Sequence, residues 1–212
     1  MALSTGLDWI ERALLVLGTT LLVWSGLTVL EQSYFQRLPV PAAPVVAARL
    51  PGENPAERLT AASGASAVEP GTWLARLEAS SVALAATVLE GTDDATLRRG
   101  AGHIEGTPYP GAAGNVGIAG HRDTIFRPLR DLKLGDRLLL TTADRVLEYR
   151  ISETKIVNPA DVYVLDPTGR PMLTLVTCFP FNFIGNAPQR FIVHAELIQE
   201  RVRQDPSEAV RR

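Results

Sequence analysis

Met172-Leu173-Thr174-Leu175-Val176-Thr177-Cys178 is an apolar, β-branched run that ends on the only cysteine of the chain. Its composition is that of a buried strand. Arg190-Phe191-Ile192-Val193-His194-Ala195-Glu196-Leu197 reads as a second strand. The connection between them, 179–189, holds Pro180, Gly185 and Pro188, which interrupt regular pairing. Taken as antiparallel neighbours, the two runs make a wide hairpin in which Cys178 faces Arg190. Directly opposed residues have Cβ atoms roughly 4.5–5.5 Å apart. A guanidinium at that range offers several N–H donors and a permanent charge. Those properties suit the oxyanion of a tetrahedral acyl intermediate. A thiol at a strand end is otherwise a small core hydrophobe, so the case for a nucleophile depends on a proton partner.

The chain has 3 histidines, His103, His121 and His194. A cysteine nucleophile acts as the thiolate, and its leaving amine must be protonated. Imidazole is the side chain most often used for such proton transfers. His121 closes Asn115-Val116-Gly117-Ile118-Ala119-Gly120, where Val116 and Ile118 alternate with small residues. Such a strand lets other backbone approach closely and delivers His121 at a sheet rim. His194 lies inside the final strand, an even number of places from Arg190, and reads as structural. His103 lies in a loop region and is a candidate for lining a cleft. His121, Cys178 and Arg190 are therefore the expected catalytic residues, with His103 as a candidate substrate contact. No metal site is expected, because one cysteine and three scattered histidines show no ligand spacing.

Further strands are expected at 74–78, 82–89, 136–142 and 146–157. Between them, Gly91-Thr92-Asp93-Asp94 opens a short helix that Gly100 stops. Thr92 is the expected N-cap, with Asp93 and Asp94 at the positive end of the helix and Arg98 and Arg99 at the other. A Gly/Pro-rich loop follows at 106–115, and 128–132 reads as a turn or helical stub. Several short strands with few helices imply a β-sandwich or a closed barrel.

Upstream, 13–30 (ALLVLGTTLLVWSGLTVL) carries no charged residue and reads as a membrane-spanning helix, with Trp9 and Trp24 as interfacial anchors. Asp8 and Glu11 argue against a cleaved signal sequence. Arg12 on one flank meets Arg37 on the other, so charge does not set the orientation. Residues 31–71 are rich in Pro, Ala, Gly and Ser in their main part and read as a spacer, with a short helix possible near 56–62. The expected divisions are a short N-terminal segment (1–12), an anchor (13–30), a linker (31–71), a β-domain (72–198) and a charged, frayed tail (199–212). Net charge is −2 with both signs mixed, which leaves no basic footprint for nucleic acid. A single cysteine excludes an internal disulfide.

The stretch from about 76 to 197 resembles the sortases, cysteine transpeptidases of bacterial surfaces. TLVTC (174–178) is similar to the family's TLxTC motif. Gly120-His121, at the end of GNVGIAGH, resembles its histidine motif, and Arg190-Phe191-Ile192-Val193 resembles its arginine strand. EGTDDATLRRGAGHIEGT (90–107) and RDTIFRPLRDLKLGD (122–136) are most similar to the class D branch.

The resemblance implies a mainly β fold, an eight-stranded barrel with short helices, preceded by one transmembrane helix. It implies that Cys178 attacks an LPxTG-like sorting signal near the C-terminus of a surface or pilin protein and forms a thioacyl enzyme. An amine, from a peptidoglycan precursor or a lysine, then resolves that intermediate. It places Thr177 and the loops 158–170 and 179–189 along the substrate groove. It implies a single-pass cell-membrane protein with a cytoplasmic N-terminus and an extracytoplasmic catalytic domain. Some sortases bind calcium, but the acidic residues here are scattered and no cofactor is expected to be required. Two other readings remain open on the residues alone. One is a cysteine peptidase that releases its product to water. The other is a non-catalytic anchored β-domain that binds surface proteins.

Overall fold

The structure is a computed structural model that describes residues 3–36 and 68–203. The chain divides into two compact units, Met1–Leu38 and Pro39–Arg212.

The first unit is one helix, α1 (Leu3–Gln36). Its segment Trp9–Leu27 has a mean hydropathy of 1.4 and is long and apolar enough to cross a membrane. The hydroxyls of Thr19 and Thr20 donate to the carbonyls of Leu15 (2.8 Å) and Val16 (2.7 Å), so neither polar group needs a partner outside the helix. The helix runs past the expected 13–30 at both ends, since helical hydrogen bonding continues through the polar flanks. Most of the expected spacer, including the possible helix near 56–62, lies outside the described residues.

The second unit is a closed barrel of eight strands in the order β1-β2-β3-β4-β7-β8-β6-β5. The strands are β1 (Trp73–Ala79), β2 (Leu84–Glu90), β3 (Ala101–His103) and β4 (Asn115–Ala119). They continue with β5 (Arg137–Thr141), β6 (Arg145–Val157), β7 (Met172–Phe179) and β8 (Gln189–Val202). Pairing is antiparallel except for β2 with β3 and β4 with β7, which are parallel. Closure leaves no open sheet edge, which decides between the two all-β architectures that the strand pattern allowed.

The barrel interior is apolar. Leu77, Val88, Val116, Ile118, Leu138, Leu140, Leu173, Leu175 and Val193 are fully buried in one cluster. The segment after β4 adds Phe126 and Leu129 to it. The outer face of β7 and β8 carries a second, smaller cluster of Val157, Val164 and Ile192, with Leu165 and Val176 packed against it. Val164 and Leu165 belong to a 3-10 turn (Val162–Leu165) in the connection from β6 to β7. That connection therefore lies over the outer face of the strands that carry the site.

Four local expectations are corrected. The short helix, α2 (Asp94–Arg99), is capped by Asp93 and not by Thr92. The Asp93 carboxylate accepts from Ala95 N (2.9 Å), Thr96 N (3.1 Å) and the Thr96 hydroxyl (2.6 Å), a three-donor match that a threonine hydroxyl cannot make. Those bonds hold its pKa below the usual carboxylate value. His103 is not in a loop but ends β3, a strand too short to show a pattern. β2 starts at Leu84, because Ser80–Val82 forms a 3-10 turn closed by left-handed Ala83 (φ 53°). β8 does not fray at 199; it continues to Val202, because β6 is long enough to pair with it as far as Arg145. An ion pair from Arg145 to Glu200 (2.8 Å) lies on that extension.

Candidate active site

The site is set by register. Cys178 on β7 pairs directly with Arg190 on β8. On its other side β7 runs parallel to β4, with Val176 opposite Ala119. Carrying that register on by two places brings His121 level with Cys178. The contacts between them show that the match persists: Gly120 N donates to Val176 O (3.1 Å) and Thr177 Oγ1 donates to Gly120 O (2.7 Å). His121, Cys178 and Arg190 thus stand side by side on one rim, on three adjacent strand ends about 4.8 Å apart. His121 is exposed and Cys178 half-buried.

Glycine at 120 is required by packing. A Cβ there would lie 2.7–3.0 Å from the Phe126 ring, which is itself fully buried. His121 is therefore carried by backbone pressed onto an aromatic ring on one side and hydrogen-bonded to β7 on the other.

Thr177, expected to line the substrate groove, is instead 2% exposed, with its hydroxyl bonded to the Gly120 carbonyl. It ties the histidine strand to the cysteine strand. His103, the other candidate contact, is 1% exposed. Its Nδ1 meets Glu90 Oε2 (2.8 Å), and its Nε2 meets Pro108 O and Thr107 Oγ1 (both 3.1 Å). Its ring stacks on Tyr109 at 4.8 Å between centroids. The Thr107 hydroxyl proton goes to Ile104 O (2.7 Å), so Nε2 is the donor toward Thr107 and Pro108 O. His103 braces the loop after β3.

His194 is structural, as its place inside the strand implied. It pairs with Thr174 across β7 and β8. Thr174 Oγ1 donates to Asn115 Oδ1 (2.6 Å) and so accepts from His194 Nδ1 (3.0 Å). Asn115 Nδ2 in turn donates to the carbonyls of Val164 (3.1 Å) and Asp166 (3.2 Å). This buried chain pins the β6–β7 connection to the outer face of the barrel. Burial, reinforced by Lys155 and opposed by Glu153, holds the His194 pKa below its ordinary value.

Two positioning residues escaped the sequence reading. One is Asn115, hidden as the first residue of a strand. The other is Arg122, which follows His121 directly and is 7% exposed. Its guanidinium donates to the carbonyls of Pro180 (3.2 Å), Phe183 (2.5 Å) and Gly185 (3.1 Å). A buried charge needs such partners, and here all three belong to the loop after Cys178. Arg190 holds the far end of the same loop, through Nη1 to Ala187 O (3.3 Å) and Gln189 O (3.0 Å). The loop after the cysteine is thus held at both ends by guanidinium groups. Among the described residues, no group of three or more His, Cys, Asp or Glu is placed to hold a metal ion.

The sortase domain family model matches residues 77–198, more than half of the chain. The chain belongs to the sortase family. Its relatives include Sortase D of Bacillus subtilis (strain 168), 38% identical over 112 residues, which are 52% of this chain and 57% of that protein. Sortase A of Listeria monocytogenes is 34% identical over 114 residues, 52% of this chain and 50% of that protein. The chain spans about half the length of these curated relatives. Among solved structures, a Clostridium perfringens Sortase D5 transpeptidase superposes with a TM-score of 0.58 at 29% identity, covering 68% of this chain and 89% of that one. Sortase E1 from Streptomyces coelicolor, solved with a tripeptide in the active site, gives 0.58 at 29% identity, covering 67% and 99%. Sortases are cysteine transpeptidases.

Proposed function

We propose that this sortase is a membrane-anchored cysteine transpeptidase in which Cys178 is the nucleophile, His121 the proton carrier and Arg190 the oxyanion donor. The observation that carries the reading is the shared register of three adjacent strand ends, with Cys178 paired to Arg190 and flanked by the strand that leads to His121. The Cys178 thiolate adds to the carbonyl of the scissile bond in an LPxTG-like sorting signal. The oxyanion that forms takes hydrogen bonds from Arg190, whose Nε and Nη2 have no partner among the described residues. As the tetrahedral intermediate collapses, His121 protonates the leaving amine and a thioester remains on Cys178. An incoming amine, from a peptidoglycan precursor or a lysine, adds to the thioester. It loses its proton to His121 and releases the thiolate. No metal enters these steps.

The sorting signal, at the end of a surface or pilin protein, lies along the outer face of β4, β7 and β8, between the pinned β6–β7 connection and the loop after Cys178. α1 anchors the chain in the cell membrane with a cytoplasmic N-terminus, and the linker, 31–71, spaces the catalytic domain, 72–198, on the extracytoplasmic side.

The test is processing of a quenched LPxTG peptide by the full chain in detergent micelles, with an added amine. The wild type cleaves the peptide and forms an amine adduct, and Cys178→Ala loses both by at least about 1,000-fold. Equal cleavage by the two proteins removes the assignment. Cleavage by the wild type with water as the only acceptor, at every amine concentration, identifies a peptidase instead.

A further inference from the structure

A cleft of about 510 Å³ lies on the outer face of β6, β7 and β8, under the far side of the β6–β7 connection. Its volume is in the range of small-ligand sites. The Val176–Ile192 pair, covered by Val164 and Leu165, separates it from the Cys178–Arg190 pair. His194, 8% exposed, is part of its wall. Nδ1 carries the ring proton, because the Thr174 hydroxyl donates to Asn115 and accepts from the ring. Burial keeps the imidazole neutral at neutral pH, so Nε2 is a lone-pair acceptor. Nε2 has no partner among the described residues, yet no sealed side-chain nitrogen or oxygen among them is left unsatisfied, so Nε2 is open to the cleft. Around it, donors alternate with acceptors. Lys155 pairs with Glu153 (3.0 Å) and Arg170 with Glu196 (3.1 Å), all four side chains partly exposed. One ion pair leaves each cation further N–H groups and each carboxylate further lone pairs. Tyr163, 52% exposed, supplies an aromatic ring from the connection.

We propose that this cleft is a carbohydrate-binding site, separate from the catalytic rim. A hydroxyl is donor and acceptor at once, and a wall that offers both roles side by side matches the neighbouring hydroxyls of a sugar. Nε2 of His194 accepts a hydroxyl proton. Lys155 and Arg170 donate to hydroxyl oxygens, and Glu153 and Glu196 accept from hydroxyl groups. The apolar C–H face of a pyranose ring lies on Tyr163, as apolar groups do on an aromatic face. Other ligand classes fit less well. An anion would meet the lone pair of Nε2 and two carboxylates. A cation would meet Lys155, whose charge acts on His194 more strongly than that of Glu153. An apolar ligand would strip water from both ion pairs and from Nε2 and replace none of its hydrogen bonds. No bond is made or broken in the cleft, so the assignment stands independently of the transpeptidase reading.

The experiment uses the full chain, isotope-labelled at histidine, in micelles of a detergent without a sugar head group. The probes are chitotriose, maltotriose and sorbitol, the last a linear polyol with no ring face. Long-range proton–nitrogen spectra report both ring nitrogens of the 3 histidines, and His194→Asn identifies the signals of His194 by their loss. Without sugar, His194 is expected as the Nδ1–H tautomer with an unprotonated Nε2. At least one trisaccharide is expected to move the Nε2 signal saturably toward that of a hydrogen-bonded nitrogen, with a Kd of about 0.1–10 mM. Sorbitol at matched hydroxyl concentration leaves it in place. Tyr163→Ala weakens the sugar affinity by about 5- to 10-fold, and its half-exposed side chain lets this variant probe the cleft without opening the core. Which trisaccharide binds more tightly gives the sugar preference of the site. No movement of the His194 nitrogens with either trisaccharide, equal movement with sorbitol, or unchanged affinity in Tyr163→Ala overturns the assignment.

Discussion

Arg190 is fastened before a substrate arrives. Its Nη1 donates to two carbonyls of its own loop, and its backbone is fixed by pairing with Cys178. One guanidinium can therefore brace the loop and still present further N–H groups to an oxyanion. A lysine ammonium is a point charge on a flexible stem and cannot divide itself this way. Arg190→Lys is accordingly expected to lower kcat/KM for peptide cleavage by about 100-fold or more, with the melting temperature nearly unchanged. Activity within a few-fold of wild type would reject the oxyanion role. The three rim residues were legible in the sequence because each sits where a strand pattern stops and a loop begins. Thr177 and Arg122 were misread or missed for one shared reason. Each acts through a carbonyl distant in sequence, at Gly120 or in the loop 180–185, and no local pattern records that partner.

At the scale of elements, the barrel closes through its least conspicuous strand. β3 has three residues, yet it is the parallel partner of β2 and the antiparallel partner of β4. Its neighbours pack so tightly that a Cβ on Gly102 would stand 2.2 Å from Gly91 O, and one on Gly100 would stand 2.5 Å from Thr87 O. Both obstacles are backbone, which cannot rotate aside. Gly102→Ala is therefore expected to destabilise the domain by about 1–3 kcal/mol, read as a lower urea midpoint at unchanged slope. A stability equal to wild type would show that β3 can shift without cost. The long strands β6, β7 and β8 were readable over most of their length because many β-branched and aromatic residues outweigh local noise. β3 was not, since its strand character comes from parallel pairing with β2 and not from its own residues. The asparagine opening β4 was equally silent, because its work is to hold a connection almost fifty residues away (|i−j| = 49).

At the scale of the whole domain, two buried titratable groups are expected to shape the pH dependence of stability from opposite sides. Burial lowers the His194 pKa from its ordinary 6.5, with Lys155 adding to the shift and Glu153 opposing it. The unfolded chain then binds more protons than the fold just below pH 6.5, so this contribution is complete above that value and is lost as pH falls through the folded pKa. Tyr149 behaves conversely. Burial first, and the charge of Glu200 second, push its phenol from 10.0 up to about 12. The unfolded phenol loses its proton first, so stability falls as pH rises from about 10 to about 12, by at most about 3 kcal/mol for two pKa units. The expected profile is a plateau between about pH 6.5 and 10 with a shoulder on each side. His194→Asn keeps an N–H donor for Thr174 without an imidazole to charge, and it should flatten the fall just below pH 6.5. Tyr149→Phe should flatten the fall between pH 10 and 12. Thermal unfolding across the pH series measures both. A variant whose shoulder matches the wild type would show that its group does not set that edge, and because the two residues titrate in separate windows, each edge is tested without reference to the other.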